Sequence, residues 1–189
     1  MTRGSTASCE TWRVADVALY PPEHYADGIR VVTAATRQVP SASVDSRVKS
    51  LNYLKNVLAK IDAAQAGAHE AIMLNAEGFV AECTGDNLYV VRNGTVSTPA
   101  PQDGALEGIT RAALLGLAGE AGLGVREARL TRFDVYTADE CFLSGTGAEV
   151  IAVTGVDGRR IGDGSPGPIT RRLQQAFHAL ARREGEPLW

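Results

Sequence analysis

The chain has 189 residues, a formal net charge of −3 and a sequence pI of about 5.6. A chain of this length can bury on the order of 70% of its unfolded surface, which favours one domain around one core. The mild acidity argues against nucleic acid as a partner, and the longest apolar stretches, such as 112–118, are too short to span a membrane.

The first half of the chain predicts a strand, a helix and a meander. Val31–Ala35 is a short β-branched run that predicts a strand. Four apolar residues at helical spacing predict a helix that starts just after Lys49 and runs to Gly67: Leu51, Leu54, Leu58 and Ile61. Three apolar or alternating segments predict strands: Ala71–Leu74, Phe79–Glu82 and Leu88–Val91. Asn93-Gly94 then predicts a hairpin turn.

The second half alternates helices and strands. Gly108 precedes a predicted helix over Ile109–Ala121, which Gly122 and Gly124 end. The segments that follow predict, in order, a strand, a short helix and two strands: Val125–Leu130, Phe133–Ala138, Glu140–Leu143 and Glu149–Val156. Asp157-Gly158 predicts a second hairpin turn, and Gly162–Pro168 a loop. Ile169–Arg183 predicts an amphipathic helix with an apolar face of Leu173, Phe177 and Leu180.

Residue types suited to holding pyridoxal phosphate occur at separate places in the chain. A lysine can form a Schiff base with the aldehyde, and Lys49 is the candidate. An anion beside the pyridine nitrogen keeps that ring an electron sink, and Glu82 is the candidate. Backbone N–H groups at a helix start bind phosphate, and Gly108, Ile109 and Thr110 occupy such a start. A pyridoxal-phosphate site is therefore predicted, without a metal.

Five motifs occur in the order and spacing of a known family: KSLNYL, AECTGDNL, LEGITR, SGTGAEV and DGRRIGDGSPGPITRRLQQAF. Over roughly residues 16–182 the chain resembles the fold-type IV pyridoxal-phosphate enzymes, and most of all the branched-chain amino-acid aminotransferases. The resemblance implies an α+β fold, the C-terminal large domain of these enzymes, in which mixed sheets form a pseudo-barrel surrounded by helices. It also implies pyridoxal 5'-phosphate as the cofactor.

The resemblance assigns a role to each matching residue. Lys49 resembles the Schiff-base lysine and catalytic residue, and Tyr53 the tyrosine that binds the cofactor's phenolic oxygen. Glu82 resembles the partner of the pyridine nitrogen, and Leu106 the residue packed on the ring. The remaining matches concern the phosphate and the substrate carboxylate: Gly108, Ile109, Thr110 and Thr146 for the phosphate, and Gly147, where many relatives carry alanine, for the substrate.

The resemblance also implies a domain division. Residues 1–28 are expected to be a remnant and interdomain linker, and residues 29–189 the cofactor-binding large domain. The small N-terminal domain of the family, which supplies a phosphate-binding arginine and much of the substrate pocket, is expected to be absent. Poor packing is expected over Met1–Glu10.

The implied activity is transfer of an amino group between a branched-chain amino acid and 2-oxoglutarate in a homodimer. Relatives leave two alternatives of the same class, aminodeoxychorismate lyase and D-amino-acid aminotransferase. A different class of alternative is a weakly active or inactive remnant, or one part of a split enzyme that a separate small-domain chain completes.

The remaining residues of chemical interest predict no further site. Cys9, Cys83 and Cys141 are an odd number without metal-ligand spacing, so free thiols are expected. The histidines His24, His69 and His178 are scattered. The first ten residues contain no apolar signal segment, so a cytoplasmic location is expected.

Overall fold

A computed structural model describes residues 19–40 and 42–183. Over these residues nine strands form one mixed sheet: β1 Ile29–Thr33, β2 Glu70–Leu74, β3 Val80–Cys83, β4 Asn87–Arg92, β5 Thr95–Thr98, β6 Gly124–Glu127, β7 Glu140–Gly145, β8 Glu149–Val156 and β9 Arg159–Arg160. Five α-helices accompany it: α1 Pro22–Asp27, α2 Leu54–Gln65, α3 Ile109–Glu120, α4 Arg132–Tyr136 and α5 Pro168–Arg183. A 3-10 turn covers Pro101–Asp103.

The strand order is β3-β2-β1-β8-β7-β4-β5-β6, with β9 paired to β8. The pairs β1·β2, β1·β8 and β5·β6 are parallel, and the other pairs are antiparallel. The sheet curls into a half-barrel, which confirms the predicted α+β fold of mixed sheet and surrounding helices. This order places β4 beside β7, although about fifty residues of chain separate them.

Side chains on both faces of the sheet are buried. A large cluster between β1, β2, β7 and β8 contains Ile29, Ile72 and Leu143. On the other face, α3 and α5 pack on β4 and β7 through Leu114 and Leu173. Alternation along a strand sends neighbouring side chains to opposite faces, so both faces need apolar residues when helices cover the second face.

Both predicted hairpin turns are confirmed. Asn93 and Gly94 join β4 to β5 with φ of 49° and 73°. Asp157 and Gly158 join β8 to β9 with φ of 50° and 76°. Two consecutive left-handed residues match the right-handed twist of the strands that they connect.

The predicted start of the long helix was wrong. Residues 42–53 form turns, in which the Asp45 carboxylate accepts hydrogen bonds from the Arg47 backbone N–H and guanidinium, and α2 begins only at Leu54. Lys49 therefore lies in a loop that precedes the helix. The chain is held in this loop by local side-chain bonds that compete with helix formation.

The large apolar residues that predicted this helix do not form its buried face. Leu54, Leu58 and Ile61 are 68%, 46% and 46% exposed, and Leu51, before the helix, is 96% exposed. The residues that face the sheet are Asn56, Ala59 and Ala63, and the two alanines pack near Ala71 and Met73 of β2. Small side chains allow the helix to approach the strand closely, and periodicity of large apolar residues cannot detect such a face.

Other differences are small. The first strand runs over Ile29–Thr33, and β6 ends at Glu127 instead of Leu130. Helix α1 was not predicted because it buries none of its residues and so leaves no apolar stripe in the sequence. The expectations for Met1–Glu10 and Cys9, and most of the proposed linker, lie outside the described residues. Within the described part of the chain, no helix has the length and apolar character needed to cross a membrane.

Candidate active site

A cavity of about 310 Å³ lies between the 44–53 loop, the start of α2 and the edge of β3. Four of the residues singled out from the sequence line it together: Lys49, Tyr53, Glu82 and Leu106. Lys49 comes from the loop, Tyr53 immediately precedes α2, Glu82 lies on β3, and Leu106 precedes α3. The structure thus brings into one place residues that are up to 57 positions apart, from Lys49 to Leu106.

Lys49 and Tyr53 are the accessible members of this set. Both side chains are exposed, and Lys49 Nζ lies 3.4 Å from Tyr53 Oη, a long hydrogen bond. A primary amine and a phenol next to each other at the mouth of a cavity can bind an aldehyde and an adjacent ring hydroxyl.

Glu82 is largely buried and fixed at both carboxylate oxygens. Gln38 Nε2 donates to its Oε1 at 2.9 Å, and the backbone N–H of Leu106 donates to its Oε2 at 2.9 Å. Burial nevertheless raises the pKa of Glu82 to about 7, because loss of hydration outweighs these bonds and the nearby charges of Lys55 and Lys49. A cation placed against Glu82 would restore its negative charge.

Gln38 is a site residue that the sequence did not reveal. Its side-chain Nε2 donates to Glu82 and also to the backbone carbonyl of Gly104 at 2.9 Å. Its side-chain Oε1 accepts a hydrogen bond from the backbone N–H of Val39. The residue follows the first strand in a segment without a motif, so nothing in the pattern distinguished it from a surface glutamine.

The segment before α3 is held from two sides. Asn87 Nδ2 donates to the carbonyl of Leu106 at 2.9 Å, and Ser46 Oγ donates to the carbonyl of Ala105 at 3.1 Å. These bonds tie the segment to β4 and to the loop that carries Lys49. A Cβ at Gly108 would lie 2.9 Å from Asn87 Oδ1, so any larger residue here has to displace that side chain.

The predicted phosphate and carboxylate residues do not line the cavity. Gly108 caps α3, Ile109 is 90% exposed, and Thr110 is 8% exposed in the first turn. Thr146 and Gly147 lie in the turn between β7 and β8, and a Cβ added at Gly145, before them, would collide with the carboxylate of Asp86. The structure therefore brings the first four predicted residues into one cavity, and the roles of all nine remain predictions.

Asp86 is a second buried acid close to the site. It is 5% exposed in the connection between β3 and β4, and burial together with the charge of Glu70 raises its pKa to about 7. It was not singled out in the sequence because an Asp-Asn pair before a strand is an ordinary turn signal.

The cysteines and histidines contribute no second centre among residues 19–40 and 42–183. Cys83 and Cys141 are free and buried, and burial raises the pKa of both thiols, so neither is a reactive thiolate. No group of three potential ligands among these residues could hold a metal ion. His24 stacks edge-on against His69, and His178 pairs with Glu149, away from the cavity residues.

With this geometry established, comparison with known proteins decides the family. Residues 1–156 match the family model described as amino-transferase class IV. The chain belongs to that family. This confirms the resemblance to the fold-type IV enzymes that its motifs indicated.

Curated relatives carry the names of branched-chain-amino-acid aminotransferases. The chain is 46% identical to a putative one from Methanocaldococcus jannaschii over 165 residues, which is 87% of this chain and 57% of the relative. It is 41% identical to that of Escherichia coli over 159 residues, 84% of this chain and 52% of the relative. The chain therefore spans about half the length of the curated relatives that it matches.

Solved structures agree. The Escherichia coli branched-chain amino acid aminotransferase superposes with a TM-score of 0.85 at 39% identity, covering 91% of this chain and 57% of that one. The enzyme from Thermobaculum terrenum, solved in its PLP form, superposes with a TM-score of 0.82 at 34% identity, covering 88% of this chain and 55% of that one. The branched-chain aminotransferase of Thermoproteus uzoniensis, solved with norvaline, superposes with a TM-score of 0.80 at 36% identity, covering 85% of this chain and 54% of that one.

The raised pKa of Glu82 makes stability depend on pH. The native state holds its proton up to about pH 7, whereas the unfolded carboxyl loses it near its ordinary value of 4.5. Stability should therefore fall as the pH rises between these values, by on the order of 2–3 kcal/mol from this residue. We expect Glu82→Gln to reduce the difference between the free energies of unfolding measured with urea at pH 5 and at pH 8. Glu120→Gln, on an exposed helix position, is the control, and an unchanged difference in Glu82→Gln would contradict the assignment.

Proposed function

We propose that this chain is the cofactor-binding part of a pyridoxal-phosphate aminotransferase that acts on branched-chain amino acids. The observation that carries the proposal is the shared cavity of Lys49, Tyr53, Glu82 and Leu106. The names of the curated relatives favour branched-chain substrates over those of aminodeoxychorismate lyase or D-amino-acid aminotransferase. We further propose 2-oxoglutarate as the amino acceptor and a cytoplasmic location.

The residues present fit the cofactor. When bound, pyridoxal phosphate supplies an aldehyde to hold the amino group and a protonated ring that withdraws electrons from the substrate carbon. Glu82 would face the ring nitrogen, because an acid with its pKa raised by burial gains most from a neighbouring positive charge. Gln38 and the Leu106 N–H would keep that carboxylate in place.

Each remaining residue has one task in this proposal. Lys49 would bind the aldehyde carbon through Nζ and then carry a proton between the substrate carbon and the cofactor as base and acid. Tyr53 would donate its hydroxyl to the ring oxygen, and Leu106 would pack on the ring face. Backbone N–H groups of Gly108–Thr110, with the hydroxyls of Thr110 and Thr146, would hold the phosphate. Gly147 would offer its amide to the substrate carboxylate.

The domain assignment is also a proposal. Residues 29–189 would be the cofactor-binding domain, and residues 1–28 the linker before it. The chain spans about half the length of its relatives. It therefore either catalyses the reaction alone or needs a second polypeptide to complete the site. The following experiment distinguishes these two outcomes.

The first test locates the lysine. Purified chain is mixed with pyridoxal phosphate, reduced with borohydride, and digested for peptide mass spectrometry. We expect one adduct on Lys49 at near-stoichiometric yield, its loss in Lys49→Arg, and its retention in Lys55→Arg, whose lysine lines the same cavity. A valine and 2-oxoglutarate assay on the unreduced protein then reports whether the chain turns over unaided. Scattered labelling would remove the cofactor proposal.

The glycine before α3 gives a second test. Gly108→Ala should lower the affinity for pyridoxal phosphate about tenfold, because its Cβ would displace Asn87, which holds Leu106. Gly116→Ala is the matched control in the same helix, since, apart from the helix's own backbone, no atom of the described residues lies within 4 Å of its added carbon. Absorbance titration measures both. Equal affinity in Gly108→Ala and the unsubstituted chain would separate this turn from cofactor binding.

We propose a homodimer as the working state. Large apolar side chains are exposed along the 44–61 segment, including Leu51, Leu54 and Val57 at 96%, 68% and 53%. Such a patch favours association. Light scattering should give twice the chain mass of 20.0 kDa, and Leu54→Asp/Leu58→Asp should shift it to monomer. Phe133→Asp, 67% exposed on α4, is the control. A monomer for the unsubstituted chain would count against the proposal.

A further inference from the structure

A second cavity lies on the outer side of the sheet, where helix α2 ends. Ala59 and Ala63 of α2 cover β1 and β2, but the helix stops at Gln65. Beyond that end the face of β1, β8 and β9 borders a cavity of about 400 Å³. Among the described residues, none lines both this cavity and the cavity of Lys49.

Two arginines flank a glycine across three neighbouring strands of this face. Arg30 of β1 pairs with Gly155 of β8, and Gly155 pairs with Arg160 of β9. Neighbouring strands lie about 4.8 Å apart, so the two arginine Cα atoms are about 10 Å apart with no side chain between them. Because residues in register share a face, both arginine side chains leave the sheet on the same side.

Glycines also support the two arginine stems. An added carbon at Gly155 would lie 3.5 Å from Arg30 Cγ, and one at Gly164 would lie 3.0 Å from Arg160 Cδ. The aliphatic parts of both side chains are thus packed against backbone, which limits their freedom and leaves the guanidinium groups at the groove.

The positive charges in this groove are not neutralised within the described chain. No carboxylate of residues 19–40 or 42–183 lines the cavity, and neither Arg30 nor Arg160 forms a salt bridge with any of these residues. Asp163, on the adjoining loop, accepts hydrogen bonds from Ser165 N–H and Oγ at 2.9 and 2.7 Å. Arg159 also lines the cavity, but its guanidinium lies 4.7 Å over the ring of Tyr136.

A simpler alternative is that these arginines interact with the free carbonyl groups at the C-terminus of α2. Carbonyl groups at a helix C-terminus attract cations. Within the described ranges, the Arg30 side chain donates no hydrogen bond to residues 66–68, although both line the cavity. The donors of both guanidinium groups are therefore available to a ligand.

We propose that this groove binds a phosphoryl-bearing anion, with Arg30 and Arg160 holding it from opposite sides above Gly155. A guanidinium presents a planar fork of donors that matches two oxygens of an anion. A carboxylate has only two oxygens and is satisfied by one fork, whereas a phosphate group has enough for two forks. Free phosphate and a phosphate monoester share this chemistry.

The test is a titration of the ¹⁵N-labelled full chain with inorganic phosphate and, separately, with adenosine monophosphate, at constant ionic strength. We expect the amide signals of Gly155, Gly164 and Gly67 to shift. Arg30→Gln/Arg160→Gln should weaken binding at least about tenfold, because charge-assisted bonds to two forks are lost. Arg172→Gln/Arg182→Gln changes the net charge equally on exposed positions of α5 and should leave affinity within about twofold.

The outcomes are separable. Equal weakening in both double variants would reduce the effect to net charge, and shifts confined to Gly108–Thr110 would assign the anion to the proposed cofactor turn instead. No shift at tens of millimolar of either anion would overturn the proposal. Tighter binding of the monoester would show that the groove also contacts the group esterified to the phosphate, and equal binding would show that it recognises the phosphate group alone.

A second variant protects the test against misfolding. Gly155→Glu places a carboxylate between the arginines at a position where an added carbon makes only ordinary contacts. It should abolish binding without removing either arginine, while Gly155→Ala should retain most of it. If Gly155→Glu still binds phosphate at these amides, the groove is not the site. None of these results depends on pyridoxal phosphate, so the proposed function stands or falls separately.

Discussion

The carboxylate of Glu82 is the contact on which the candidate site depends. Its two oxygens accept from a side chain that follows β1 and from a backbone amide that precedes α3. Three segments distant in sequence therefore meet at one buried acid. Truncating such an acceptor leaves two buried donors unsatisfied, which costs more than the bonds themselves contribute. The Glu82 carboxylate therefore fixes Gln38 and Leu106 against each other in the cavity wall.

The environment around Glu82 concentrates negative charge at low local dielectric. Glu70 lies nearby, yet its carboxylate is satisfied by Lys60 at 2.6 Å and by the Thr84 N–H and hydroxyl. Asp86 has no such partner, and its Oδ2 is buried without a hydrogen bond among the described residues. With the pKa values of Glu82 and Asp86 both raised to about 7, the two acids are not both charged below neutrality. A cation bound in the cavity beside Glu82 would favour ionisation of that carboxyl.

The chemistry of the site could be predicted from sequence, but its support could not. Lys49, Glu82 and the glycine before α3 carry side-chain or backbone properties that are visible in the residue type itself. Gln38 and Asn87 act through hydrogen bonds whose partners are 44 and 19 positions away, and an amide in a sequence gives no sign of its partner. The hairpins were predicted because left-handed backbone restricts residue choice locally. The buried face of α2 could not be predicted from the spacing of large apolar residues, because burial there depends on how closely the helix approaches the sheet.

The exposed apolar residues of α2 are informative about the molecule. Large apolar side chains at helical spacing normally lie in a core, since exposing them forgoes about 1.5–3 kcal/mol each. In α2 the alanines take the core side and the leucines remain outside, next to the loop that carries Lys49. The sequence thus encodes two apolar faces on one helix, and the described fold uses only the one with small side chains. Because Leu54 and Leu58 also line the cavity, whatever covers the outer face would exclude water from the lysine as well. In the proposed dimer, association and control of solvent at the candidate site would therefore be linked through the same turns of α2.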